Sequence, residues 1–198
     1  MPLEVLFALI TFAFVGSVTP GPNNLMLMAS GANLGIRRTM PHFLGIVFGW
    51  MLMVVLVGTG LMQVFETFPV TYEILRWFCV GYLIFLAWKI AGSGSSSAQG
   101  KSRPMTAFQA ALFQWVNAKA WAMALTAISV YAPSQSLAAV LLISLICGLI
   151  NLPSIFVWVV MGSKLQAYLE QGRRLQIFNY SMAALLLATL YPIVLSLG

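Results

Sequence analysis

Residues 3–28 read LEVLFALITFAFVGSVTPGPNNLMLM. The run is long and apolar enough to cross a bilayer, since about 20 apolar helical residues span a hydrocarbon core of about 30 Å. Near its far end it is interrupted by Thr19-Pro20-Gly21-Pro22-Asn23-Asn24. A helix starting at Leu3 and rising 1.5 Å per residue reaches Thr19 after about 24 Å. Two prolines there remove backbone donors, and the glycine between them permits non-helical angles. Irregular backbone at such depth is tolerated only where it is buried in protein or lines a water-filled cavity. The stretch therefore predicts a broken membrane helix whose break faces an interior site.

The rest of the chain agrees with a lipid solvent. Of 198 residues, 61% are hydrophobic and 7% charged, against about 45–50% apolar and about 25% charged in soluble domains. So little charge cannot coat a soluble exterior. Six apolar stretches follow, at 3–28, 41–62, 70–91, 105–131, 137–162 and 176–196. These runs are continuous and too long for transmembrane strands, which need about ten alternating residues each. The expectation is an all-α polytopic membrane protein forming a single membrane domain over 1–198. The N-terminal Met1-Pro2-Leu3-Glu4 has no basic residue before the apolar run, whereas a cleavable signal peptide needs one. The first helix is expected to be retained.

Charge sets the expected orientation. Arg37 and Arg38, then Lys89, Lys101 and Arg103, then Lys164, Arg173 and Arg174 fall in alternate loops and so on one side. Arg76 alone lies near the other side, three residues after Glu73, a spacing that permits a helix-surface pair. The positive-inside rule places the basic loops in the cytoplasm and both termini outside. The net charge of +6 is thereby a topology signal, and no nucleic-acid partner is expected.

The chain also reads as doubled. AGSGSSSAQGKSRP, from Ala91 to Pro104, is its one low-complexity stretch, and such composition behaves as coil. It separates 1–91 from 105–198, with 92–104 as a cytoplasmic linker and three helices on each side. An odd number of crossings per half inverts the second half, the arrangement of many secondary transporters. The second half has its own candidate interruption, Gln114-Trp115-Val116-Asn117-Ala118-Lys119. A helix from Met105 reaches Asn117 after about 18 Å. Paired interruptions at matching places in two halves are the best sequence pointer to a transporter's site.

These residues resemble the LysE/RhtB family of amino-acid exporters. The resemblance rests on TPGPNN with Leu-Met-Leu-Met after it, on Gly35-Ile36-Arg37-Arg38, and on Gly81-Tyr82-Leu83 with Trp88-Lys89. Phe113 to Lys119 is similar to the family's second signature, usually Asn-Pro-Lys, and Arg174-Leu175-Gln176-Ile177 leading into Ala183-Ala184-Leu185-Leu186 fits its last helix. The resemblance implies export of amino acids or derivatives across the bacterial inner membrane, driven by an ion gradient, proton or sodium. Asn23-Asn24 and the basic loop look most like the cysteine and O-acetylserine exporter branch. Ala118 departs from the family pattern, which predicts a milder second interruption.

The candidate transport residues are Pro20, Gly21, Pro22, Asn23, Asn24, Gln114, Asn117, Lys119 and Asn151. Lys119 is the only charge deep in a span, and such charges usually face a cavity. It is read as a counter-charge for a substrate carboxylate or a proton carrier. The alternatives are snorkelling, or pairing with carbonyls freed by the interruption. Asn23 and Asn24 stand where a half-helix begins, so its open N–H groups and positive dipole end suit a carboxylate. Capping of the broken helix is the plainer reading. Pro20, Gly21 and Pro22 are shapers. Gln114 and Asn117 share a helical face, and Asn151 lies two before Pro153; interhelical glue is the alternative for all three. Gly45 and Gly49 form a GxxxG whose partner is either another helix of the protomer or a homodimer face. His42 is expected at the start of the second helix, near the cytoplasmic surface of the membrane, where a lone interfacial histidine is more often structural. Cys79 and Cys147 read as small hydrophobes.

Other functions fit poorly. One His, two Cys and four scattered Glu without Asp supply no metal cluster and no carboxylate pair, so no cofactor or metal is expected. A GxSxG or HExxH motif is absent, which argues against an enzyme. A membrane channel, or a thiol/electron carrier of similar inverted-repeat build, remains the alternative. The leading reading is a secondary exporter of small neutral amino acids or derivatives such as cysteine, O-acetylserine, homoserine or threonine. A cationic substrate would bring a second positive charge beside Lys119.

Overall fold

The structure is a computed structural model that describes residues 1–61, 67–93, 104–132, 136–169 and 173–191, with backbone alone at 69, 71–73, 75 and 76. Lys101 and Arg103 of the expected 92–104 linker, and the side chains of the expected Glu73/Arg76 pair, lie outside what the structure describes. The described chain is all-helical. Its helices are α1 (Leu3–Val18), α2 (Pro22–Leu56), α3 (Pro69–Ala91), α4 (Ala107–Phe113), α5 (Ala118–Tyr131), α6 (Leu137–Leu169) and α7 (Arg174–Ala188). A π-helical turn, Val57–Leu61, extends α2, and a 3-10 turn, Gln114–Val116, joins α4 to α5.

The first run breaks where the sequence predicts. The helix ends at Val18, and Thr19 and Gly21 are extended on either side of Pro20. Pro22 then opens α2 at its first position, where a missing N–H costs nothing.

α2 is continuous in hydrogen bonding only. Gly35 has φ 74° and ψ 172°, left-handed backbone that favours glycine. A straight helix would hold Asn24 and Trp50 about 39 Å apart at 1.5 Å per residue, yet both line one cavity. Ser30 Oγ also meets Thr39 Oγ1 at 2.9 Å across the bend. The two arms, 22–34 and 36–56, therefore fold back on each other at Gly35. The reversal explains why the sequence reads as two apolar stretches, 3–28 and 41–62, where the hydrogen-bonded helix is one.

Small residues let the arms approach their neighbours closely. A Cβ on Gly31 would lie 2.5 Å from the Val159 carbonyl oxygen, and one on Gly162 would collide with the Met28 carbonyl. This is the crossing of the first arm with α6. On the second arm, Gly45 and Gly49 abut the Ala107 and Ala111 backbone of α4. The GxxxG thus packs inside the protomer, which accounts for it without a dimer face.

Two large apolar clusters result, beside a small one of Leu25, Ala29 and Met182. One large cluster joins Leu27, Phe43, Leu83, Phe113, Ile155 and Leu186; the other joins Leu9, Trp50, Val54, Ala124, Ile128 and Ile143. The outside is apolar as well, with Phe7, Phe48, Phe78, Trp88, Leu149 and Ile177 all exposed. Such a surface suits lipid, because a soluble monomer exposes only small apolar patches. By length and composition, Pro22–Leu61 and Leu137–Leu169 are long and apolar enough to cross a membrane, while Leu3–Val18 and Trp77–Ala91 are shorter apolar helices.

Candidate functional site

A cavity of about 380 Å³, part of it open, lies on the seam between the two clusters. Its walls take Ile46 and Ile155 from one cluster and Trp50 and Ala120 from the other. Of the nine candidates, Gly21, Asn23, Asn24, Asn117, Lys119 and Asn151 line it. Pro20, Pro22 and Gln114 do not. Gly16, Ser17 and Met123 complete the polar and apolar lining.

The break at 19–21 leaves carbonyls at the C-terminal end of α1 with no helical donor. Each finds a side chain. Asn24 Nδ2 donates to Ser17 O and to Thr19 O, both at 2.7 Å. Trp158 Nε1 on α6 donates to Val18 O at 3.1 Å. Lys119 Nζ donates to Thr19 O and Thr19 Oγ1 at 2.8 Å, and to Pro20 O at 3.3 Å. The ammonium therefore caps the negative end of the α1 dipole from the first turn of another helix. This is the carbonyl-pairing alternative for Lys119, realised across about 100 residues of sequence. Gly21 is extended (φ −176°), so its value lies in space: a Cβ there would sit 2.8 Å from Lys119 Cδ.

The asparagines do not cap α2. Gly21 is its N-cap, with no side-chain cap bond, and Leu25 N closes the first helical bond onto Gly21 O at 3.0 Å. The first-turn N–H groups of Asn23 and Asn24 stand at the helix start, where no intrahelical acceptor exists. Their side chains work elsewhere. Asn23 and Gln114 exchange amide bonds of 2.8 and 3.3 Å, and buried Gln114 also donates to Ala110 O at 2.8 Å. Asn117 does cap, accepting from Lys119 N at 3.2 Å at the start of α5.

Asn151 Nδ2 donates to Ser17 Oγ at 2.9 Å, and its Oδ1 is buried with no partner among the described residues. Leaving a buried acceptor unpaired costs about 1–3 kcal/mol, so a ligand donor would be favoured there. Ser17 was not among the sequence candidates. A lone serine in an apolar helix gives no signal, since it usually bonds back to its own turn. Neither Cys79 nor Cys147 lines the cavity; both are buried free thiols.

Known proteins place the chain. Residues 14–190 match the family model described as LysE type translocator. Proteins named cysteine/O-acetylserine efflux protein from Escherichia coli O1:K1 / APEC, Escherichia coli (strain K12) and Shigella sonnei (strain Ss046) are each 27% identical over 180 residues, 89% of this chain and 92% of the relative. No solved structure matches. With the family model covering nearly the whole described fold, both helix breaks and the cavity between them, the chain belongs to the LysE type translocators.

Proposed function

We propose that the chain is a secondary exporter of small neutral amino acids or close derivatives across the bacterial inner membrane. The observation that carries this reading is the meeting of the two breaks: Lys119, just after one, holds the carbonyls of Thr19 and Pro20 in the other. Six spans in two inverted halves account for the packing. α1 lies on α6 while α4 lies on the second arm of α2, and α3 lies on α7. Exchanging the halves maps each of these pairs onto its counterpart. Both termini are extracytoplasmic in this reading, which rests on the basic residues of alternate loops.

The chemistry of the cavity suits a zwitterion. A carboxylate is taken by Lys119 and by the first-turn N–H groups of Asn23 and Asn24; the amine meets the Asn151 Oδ1 acceptor. In accepting the carboxylate, Lys119 gives up carbonyls of α1, so occupancy loosens the end of that helix. This exchange is the switch for alternating access, with a proton or sodium gradient as the drive. The printed name of the relatives, cysteine/O-acetylserine efflux, points to the same substrate size. A lysine substrate is disfavoured: no carboxylate lies among the described lining residues, and two like charges at about 4 Å repel by about 4 kcal/mol at an effective dielectric near 20.

Counterflow in liposomes with labelled cysteine, O-acetylserine, homoserine, threonine, lysine and arginine tests it. Accumulation of the neutral compounds against a gradient is expected and excludes a channel. Lysine transport with none of the neutral compounds moved overturns the charge argument.

A further inference from the structure

A second cavity, of about 530 Å³ with part of it open to the outside, lies at the Gly35 end of the molecule, between the arms of α2, the end of α3 and the residues just before α4. Its polar lining is Ser30, Asn33, His42, Lys89 and Ser93. The fold turns His42 into the protein interior: beyond the reversal at Gly35 it packs inward and is 2% exposed. Both ring nitrogens are buried without a hydrogen-bond partner among the described residues. Buried imidazoles almost always find partners, so two unpartnered nitrogens on a side chain that lines a cavity point to a ligand.

The wall groups around His42 are otherwise spoken for. Asn33 and Asn179 exchange amide bonds of 2.8 and 3.1 Å, and Asn179 Nδ2 holds Ser93 O at 2.6 Å. Ser30 is tied to Thr39, and Ser93 Oγ donates to Lys89 O. Lys89 is exposed, and no hydrogen bond or ion pair engages its ammonium among the described residues. Among the described residues it is the one other titratable side chain lining the cavity, and no acidic side chain among them does. A neutral or charged imidazole donates N–H, and an ammonium donates three. Two donors, one of them cationic and with no anion beside it, call for an acceptor of negative charge.

We infer that this cavity is a second binding site, which takes the carboxylate of a small amino acid between the His42 imidazole and the Lys89 ammonium. Its place as the first station on an export route rests on the exporter reading; carboxylate binding itself does not. The first cavity differs in that its cation is already engaged, by Thr19 and Pro20. At the second, the Lys89 ammonium has no such partner among the described residues.

His42 is the only histidine in the chain, so a histidine carrying carbon-13 at Cε1 reports this site alone. The full chain in nanodiscs is titrated with L-serine, acetate and L-serinamide, which keeps the amine but has no carboxylate. Saturable movement of the His42 resonance is expected with serine and acetate and not with serinamide. Lys89→Met, at an exposed position, is expected to weaken the response about tenfold, the scale of one charge-assisted hydrogen bond. Asn151→Leu, in the first cavity, is expected to leave it unchanged. No saturable movement, an equal response to serinamide, indifference to Lys89→Met, or loss with Asn151→Leu each overturns the proposal. Counterflow on the same preparation separates the two readings: a His42 response without transport sinks the exporter, and transport without a His42 response sinks this site.

Discussion

The break at 19–21 and the break at 114–117 satisfy their backbone in opposite ways. Around the first, carbonyls of Ser17, Val18, Thr19 and Pro20 receive donors from Asn24, Trp158 and Lys119, on three different helices. Around the second, nearly everything is local. Asn117 N donates to Gln114 O at 3.2 Å, Asn117 Oδ1 accepts from Lys119 N, and Trp121 Nε1 donates to Trp115 O at 2.9 Å. A locally closed break keeps its shape when its neighbours move. A break closed from afar changes whenever one of its three suppliers shifts, so the first is the movable joint and the second its fixed counterpart.

The largest expected effect comes from cutting the link between them. Lys119→Met leaves Thr19 and Pro20 carbonyls without their charged donor. Loss of hydrogen bonds to a charged group costs about 1.5–3 kcal/mol. Counterflow is expected to fall at least about tenfold, the factor that 1.4 kcal/mol represents, with folded protein still in the membrane. Wild-type flux in this variant would show that the first break does not depend on the second.

Asn24→Leu against Asn117→Ala compares the breaks directly. The first substitution orphans the buried Ser17 carbonyl, removes one of the two donors of the half-buried Thr19 carbonyl, and is expected to cost about 1–3 kcal/mol. The second removes one N-cap and is expected to cost about 1 kcal/mol. Thermal unfolding in one detergent ranks them, and equal losses would erase the distinction drawn here. A double-mutant cycle on Asn23 and Gln114 should give a coupling of about 0.6–1.7 kcal/mol, the range for interhelical bonds in membranes. A value near zero would show that the paired amides do not join the breaks.

The smallest effect is expected from Ala118→Pro, which installs the residue usual in the family. Ala118 is the first residue of α5, and Asn117 before it is extended (φ −102°, ψ 102°), as a residue preceding proline prefers. The change should be neutral or stabilising by about 0.4–1 kcal/mol. A loss above that would mean that the second break relies on the Ala118 N–H.

Much of this was legible in the sequence. The Pro20-Gly21-Pro22 break and the extent of α3 follow from proline chemistry and apolar run length. What the side chains do was less so. Asn24 was read as a cap or a ligand and holds carbonyls; the contacts of Asn23, Trp158 and Asn151 bridge 91 to 140 positions, beyond any local pattern. Ser17 gave no signal for the same reason. Helix faces were hidden too. When lipid lies outside and core inside, both faces are apolar, and periodicity cannot say that His42 turns inward.

The reversal at Gly35 has a mechanical side. Its apex is followed at once by Arg37 and Arg38, both exposed. Drawing either guanidinium into hydrocarbon costs about 2.5–3.5 kcal/mol even on the milder insertion scales. The apex therefore behaves like the fluke of an anchor. Sliding of the hairpin along the bilayer normal is thereby opposed at its apex, while its other end is held by packing, with Asn24 and Trp50 both buried and hydrogen-bonded to neighbouring helices.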